Sequence, residues 1–264
     1  MAERVTVTVE GGIAQVRLSR PDKHNGLDGP MFEAILAAAA SLADRADVRV
    51  VVLSGEGPSF CAGLDFLSVM GDPGLMGRLL ERGPDSPANV AQRVAWAWAE
   101  LPVPVIAALH GATFGGGLQI ALAADLRFAA PDTRLSVMEI EYGLIPDMSL
   151  TQTLFRLVRP DLARELVYTG RKVDAAEAAA IGLVTRAVDD PLAAATEAAR
   201  AIAARSPHAI RACKRLLRDA WEHDRAGALA FETELQIPLL GSPNQLEAVT
   251  AKLGRRPARF DDPS

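Results

Sequence analysis

The stretch His110 to Asp125, HGATFGGGLQIALAAD, decides how this chain is read. An apolar run, Val103 to Leu109, leads into it. Gly115, Gly116 and Gly117 follow in a row, and Leu118 to Ala124 has the composition of a helix. A buried strand therefore feeds a turn of bare backbone, which opens a helix. Such a turn exposes N–H groups, because no side chain screens them and the first N–H groups of a helix lack an internal partner. The helix dipole adds partial positive charge at the same place. The turn suits an anion or a developing oxyanion. A strand–helix contact too close for any side chain would use the same three glycines.

Working outward, the 264 residues suffice for one large domain, or a main domain with an appendage. A hydrophobic content of 49% and a mean hydropathy of +0.13 support a sizeable core. With aromatics at 5%, that core must be built from Ala-rich helices and Val/Leu/Ile strands. A net charge of -5 argues against a nucleic-acid partner. Two cysteines, Cys61 and Cys213, point to a reducing compartment without a disulfide framework. The opening MAERVTVTVEGG alternates and carries charge, unlike a signal or transit peptide. No apolar run reaches the ~18 residues of a membrane span. The expectation is a soluble cytoplasmic protein with a small-molecule substrate.

The pattern along the chain is α/β. Val5, Val7 and Val9 alternate with polar residues as in a half-buried strand, and Ile13 to Leu18 follows as its hairpin partner after Gly11-Gly12. Asp28 can cap a helix with Pro30 in its first turn and Met31, Ile35, Leu36 and Leu42 on its apolar face. Val48 to Leu53 reads as a parallel strand, and it too runs into a glycine-rich loop, Ser54 to Asp65. Residues 66–93 suggest short helices and a mobile segment governing substrate access. Val90 to Leu101 reads as a helix, Leu126 to Ala129 and Leu135 to Val137 as short strands. Helices are expected at Leu150 to Leu157, Leu162 to Tyr168 and Ala175 to Ala180, then a last strand at Leu183 to Val188. From Pro191 onward every segment is helical (191–204, 207–224, 225–240, 243–253), and the tail from Arg255 should be loose. Residues 1–190 thus form the body and 191–264 a helical region.

Several chemistries fail on spacing. Gly111 to Gly116 is not followed by the lysine of a phosphate loop, and no dinucleotide fingerprint or nucleophile elbow appears. The four histidines, His24, His110, His208 and His223, show no paired metal spacing, so no metal is expected. Cys61 reads as a packing residue, having no base near it in sequence, with a reactive thiol as the lesser alternative. Two glycine-rich turns remain, each after a buried strand. On neighbouring parallel strands they would lie at one end of the sheet, and two N–H groups could meet one oxygen. Each such donor is worth about 3–4 kcal/mol in a transition state.

Four ordered motifs carry a resemblance that spans nearly the whole chain. They are Phe60 to Asp65, His110-Gly111 with Gly115 to Gly117, Glu139 with Gly143-Leu144-Ile145-Pro146, and Tyr168 to Arg171 with Ala175, Ala178 and Gly182-Leu183-Val184. Together they resemble the crotonase superfamily, the enoyl-CoA hydratase/isomerases. The resemblance implies a spiral of ββα units with a C-terminal helical trimerisation region, assembling as a trimer or a dimer of trimers. It implies an acyl-CoA thioester as substrate and no separate cofactor. It assigns the two thioester-binding N–H groups to Leu64 and Gly116. It lays the CoA moiety against the loops 20–27 and 61–65, so that Lys23, His24, Asn25, Cys61, Ala62, Gly63, Leu64, Asp65 and Gly116 become its contacts.

The acid–base positions set the reaction. A hydratase of this family flanks one water with two glutamates. The first of these positions holds Gln119 here, and an amide cannot take a proton at neutral pH. The second holds Glu139, whose burial beside an acyl chain should raise its pKa and suit it to proton transfer. Asp147 stands eight residues on. The family places an aspartate there in dienoyl-CoA isomerases and, as nucleophile, in chlorobenzoyl-CoA dehalogenases. Asp147 would equally serve as cap of the helix starting near Ser149. Glu141 reads as a surface residue. The expected activity is double-bond isomerisation through an enolate, with Glu139, and Asp147 beside it, moving protons. Hydration, with Gln119 helping Glu139 hold water, is the close alternative. A dehalogenase-like thioester enzyme using Asp147 and a non-catalytic acyl-CoA binder are the more distant ones.

Overall fold

The structure is a computed structural model that describes residues 3–83 and 86–263, so Pro84 and Asp85 of the 66–93 segment lie outside it. The expected hairpin forms β1 (Val5–Glu10) and β2 (Ile13–Leu18), followed by α1 (Gly29–Ala43). Asp28 caps α1 as expected, its Oδ1 accepting from Met31 N–H at 2.9 Å. β3 (Val50–Gly55), α2 (Phe66–Met70), α3 (Leu75–Leu80), α4 (Val90–Glu100) and β4 (Val105–Leu109) come next. The pivotal stretch then contributes β5 (Ala112–Phe114) and α5 (Gly116–Leu122), followed by β6 (Leu126–Ala129) and β7 (Arg134–Ser136). α6 (Leu150–Leu157), α7 (Pro160–Thr169), β8 (Val173–Asp174), α8 (Ala175–Ala180) and β9 (Arg186–Ala187) complete the alternating part. Four helices close the chain: α9 (Pro191–Ala203), α10 (Pro207–Asp219), α11 (Arg225–Gln236) and α12 (Pro243–Leu253).

Six strands form one sheet in the order β1-β2-β3-β4-β6-β9, and β5-β7-β8 form a second, smaller one. Only the β1–β2 hairpin is antiparallel in the large sheet. β3 and β4 pair directly and in parallel, Val51 opposite Val105 and Ser54 opposite Ala108. Their loops therefore leave from the same end of the sheet, which is the geometry that two converging turns require. One face of the sheet carries Val16, Leu18, Val51, Leu53 and Ala107 into a core shared with α1 and α4. The opposite face carries Val50, Val52, Ile106 and Phe128 against Ala195, Ala199 and Ala203, a stripe of small residues that lets α9 lie close.

Three sequence expectations are corrected. The sequence marks neither β5 nor β8 of the small sheet, because strands of three and two residues are too short for a period to register, although Leu135 to Val137 marks β7. The strand expected over Leu183 to Val188 shrinks to Arg186–Ala187. Leu183 and Val184 are apolar because they fill the core beneath α8, not because they pair. The tail from Arg255 is tied down. Arg49 donates to Phe260 O at 2.9 Å and pairs with Asp262 at 2.7 Å, and Asp261 N–H donates to the buried Asn244 at 3.0 Å. Those partners sit about 200 residues upstream or on α12, and no local pattern announces them. Among the described residues no helix is long and apolar enough to cross a membrane.

Candidate active site

The three glycines answer three separate demands. Gly115 sits at φ 51 and ψ -123, which a side chain strongly disfavours. A Cβ on Gly116 would lie 2.7 Å from Met148 Sδ and 2.9 Å from Leu27 Cδ1. One on Gly117 would lie 2.3 Å from Cys61 O. The close-contact reading of this triplet is therefore met. Close packing of α5 on the 61–65 loop is what brings the two turns together. Gly63, at φ +86, completes the seam, its missing Cβ pointing 2.7 Å from Phe114 O and 3.5 Å from Gly116 N.

The seam is laced by backbone. Cys61 N–H donates to Ala112 O at 3.1 Å, and Phe114 N–H donates to Cys61 O at 3.0 Å. On the other side Leu27 N–H donates to Gly63 O at 2.8 Å and Asp65 N–H to Leu27 O at 3.0 Å. In the middle, Leu64 N–H and Gly116 N–H have no acceptor among the described residues. Leu64 and Gly116 both line a single apolar pocket.

Of the proposed CoA contacts, the structure gathers Ala62, Gly63, Leu64 and Gly116 at that pocket. Lys23 and His24 are exposed on the adjoining turn, and His24 O accepts from Ala62 N–H at 2.9 Å. Asn25, Cys61 and Asp65 do something else. Asn25 is fully buried, and its amide N–H groups are shared among the carbonyls of Glu56, Ser59 and Phe60 while its Oδ1 accepts from Arg20 N–H. Cys61 is fully buried, burial pushes its thiol up to about 12, and its Sγ donates to Asn25 O. Asp65 caps α2 through Ser68 and pairs with Arg20 at 2.8 Å. Burial pushes its carboxyl up, but the Ser68 and Arg20 hydrogen bonds outweigh that and hold it low. These three brace the loops from behind. Asn25→Ala should lower unfolding free energy in urea by about 2–4 kcal/mol, since several carbonyls and one N–H lose their partner where water does not reach.

The acids come from the far wall. Glu139 begins a short 3-10 turn, Glu139–Tyr142, ended by Gly143 in the left-handed region. This places Glu139 toward the pocket and leaves Glu141 exposed, as expected, although the segment is not extended. Gln119 Nε2 donates to Glu139 Oε1 at 2.6 Å, and Gln119 Oε1 accepts from Met148 N–H at 2.9 Å. Glu139 Oε2 is buried with no partner. Burial, and then the charge of Asp147, raises the Glu139 pKa. Gln119 itself is 1% exposed and is not among the pocket residues. Both ends of its amide are committed, one to Glu139 and the other to Met148 N–H. Asp147 lines the pocket, half-buried, with its pKa raised by burial. It does not cap α6. Ser149 occupies that position in a left-handed conformation, with no side-chain cap bond.

The rest of the wall is apolar. Phe66, Met76, Leu79, Leu80 and Ala91 come from the 66–93 segment, as expected of the part that shapes the pocket. Phe32 was missed on α1, though its place next to Met31 on the buried stripe marks it. The ring of Phe66 lies on that of Tyr142, centroids 4.2 Å apart. Two unpaired N–H groups facing an apolar slot that also holds two carboxyl groups can stabilise an oxyanion while a proton moves. Among the described residues no group of three or more His, Cys, Asp or Glu could hold a metal ion.

The sequence profile of the enoyl-CoA hydratase/isomerase family matches residues 8–263. An enoyl-CoA hydratase domain-containing protein 2 of Bos taurus mitochondria is 35% identical over 262 residues, spanning 94% of this chain and 84% of that one. The mitochondrial Delta(3,5)-Delta(2,4)-dienoyl-CoA isomerase of Homo sapiens is 30% identical over 266 residues, spanning 94% and 78%. Among solved structures, an enoyl-CoA hydratase from Bacillus anthracis superposes with a TM-score of 0.90 at 28% identity, over 97% of this chain and 98% of that one.

Proposed function

Because this chain belongs to the enoyl-CoA hydratase/isomerase family, we propose that it shifts the double bond of an enoyl-CoA thioester. The thioester oxygen sits between Leu64 N–H and Gly116 N–H. Glu139 Oε2 takes a proton from C2 of a 3-enoyl-CoA, and the electron pair passes into a dienolate whose negative oxygen the two N–H groups hold. A proton returned to C4 by Glu139 or Asp147 gives the 2-enoyl-CoA. Lys23 and His24 meet the CoA moiety at the surface, and the apolar slot takes the acyl chain. Exposed Leu217, Trp221 and Leu253 on the C-terminal helices support a homotrimer or dimer of trimers as the working assembly.

The observation that carries this reading is the pairing at Glu139. One oxygen is held by an amide behind the pocket and the other is buried and unpartnered. Hydration by two carboxylates has no second glutamate at position 119. It stands as a second reading, because the relatives include proteins named as hydratases as well as proteins named as dienoyl-CoA isomerases.

The test offers purified protein a 3-enoyl-CoA and a 2-enoyl-CoA separately, following the ultraviolet band of the conjugated enoyl thioester. A rise from the 3-enoyl substrate is expected. A fall from the 2-enoyl substrate with no rise from the other would replace this reading by hydration. Asp147→Asn should lower isomerisation about tenfold or more. An unchanged rate would leave Glu139 to carry both proton transfers.

A further inference from the structure

Gln119 touches neither the pocket nor solvent, yet both ends of its amide are committed. The orientation of that amide is fixed by its partners. Met148 N–H can only donate, so Gln119 must present its oxygen there, and its NH₂ must face Glu139. That has two consequences. Glu139 Oε1 always faces an N–H, so a proton on Oε1 would point at another hydrogen. The peptide unit that Gln119 grips through Met148 N–H is the one that joins Met148 to Asp147. The side chain of the same Met148 fills the space beside Gly116 where a Cβ would stand, its Sδ 2.7 Å from that point.

We infer that Gln119 is a positioning residue that makes Glu139 a one-oxygen acid–base, confining its proton to Oε2, and fixes the spacing between Glu139 and Asp147 through the Met148 peptide. This rests on the reading of Glu139 as the proton carrier, and it goes beyond it by assigning the residue that selects the oxygen. Among the described residues, Asp147 is the charged group that weighs on Glu139. The proton stays within the pocket: Oε2 gains it from the acyl chain, Oε1 keeps its N–H, and Gln119 gains and loses nothing.

Two near-isosteric variants test this, Gln119→Met and Gln119→Glu, each measured for kcat, KM and the pH profile of 3-enoyl-CoA isomerisation. Gln119→Met removes both hydrogen bonds and frees Oε1. It should lower kcat about 10- to 100-fold while KM stays within about threefold, because the acyl and thioester contacts are untouched. Gln119→Glu can sit 2.6 Å from Glu139 only by sharing a proton with it. The acid limb of its kcat profile should move up by about one pH unit or more. If Gln119→Met does not fold, the pH profile of Gln119→Glu alone decides. Wild-type kcat and an unmoved acid limb overturn the inference, as does a loss that falls on KM rather than kcat. Glu139→Gln, run alongside, separates the two readings. Activity surviving there sinks the proton-carrier reading itself. Activity lost there but intact in both Gln119 variants sinks only the inference about Gln119.

Discussion

Glu139→Gln should cut the turnover of 3-enoyl-CoA by about a thousandfold, roughly 4 kcal/mol of barrier, while a saturated acyl-CoA binds within a few-fold of its original affinity. The change is isosteric. The new amide oxygen still accepts from Gln119, and the two N–H groups proposed to bind the thioester and the apolar wall are unaltered. What disappears is the oxygen able to take a proton. In the unaltered protein the active form is the carboxylate, so activity should fall as pH drops through a Glu139 pKa that burial and then Asp147 hold above the ordinary glutamate range. Stability runs the other way. A carboxyl with a raised pKa in the fold favours the native state below its unfolded value, and that contribution is lost as pH rises through the folded value. Glu139→Gln should therefore melt at the same temperature or higher at pH 8, the difference shrinking toward acid. A variant that is less stable at pH 8 would mean that the glutamate is anchored as an anion. Full turnover in it would remove Glu139 from the chemistry.

Gly117→Ala should damage fold and turnover together. The added carbon would lie 2.3 Å from Cys61 O and 2.7 Å from Cys61 Cβ. Neither can retreat, since Cys61 is bonded through its backbone to Ala112 and Phe114 on one side and through its thiol to Asn25 O on the other. The strain must open the seam between the 61–65 loop and α5, which is what holds Leu64 N–H and Gly116 N–H together. A stability loss of about 2–4 kcal/mol in urea unfolding is expected, with kcat/KM down at least about a hundredfold. Gly77→Ala is the control. Nothing lies within 4 Å of its Cβ position in α3, so it should be neutral or stabilise by about 0.5–1 kcal/mol. Equal losses in the two would show that glycine as such, and not the Cys61 contact, matters.

Much of this was legible in sequence, for reasons particular to each element. The strands flanking the site are continuous apolar runs because both sheet faces are covered, and their glycine-rich sequels stand out against an Ala-rich background. Asp28 announces its helix through a side chain that acts within three residues. The proposed oxyanion pair rests on resemblance, since an N–H group leaves no mark on residue type. Asn25 looked like a ligand-facing loop residue, and nothing local reveals that its partners lie 31 to 35 residues away. Asp147 next to Pro146 looked like a cap, and only the left-handed turn at Ser149 takes it out of that register. Gln119 was the hardest. Its identity tells that an acid is missing, whereas its work depends on facing a carboxylate at one end and a peptide N–H at the other.

The buried, unpartnered oxygen of Glu139 has a consequence for isotopes. A carboxyl that water does not reach keeps what it takes, so a deuteron abstracted from C2 can be handed to C4 of the same molecule before it exchanges with solvent. Transfer by one carboxylate therefore leaves label inside the product and on a single face of the acyl chain. Transfer shared with Asp147 washes the label out, because the proton delivered is not the one removed. The fraction of deuterium retained per turnover thus counts how many acids the reaction uses.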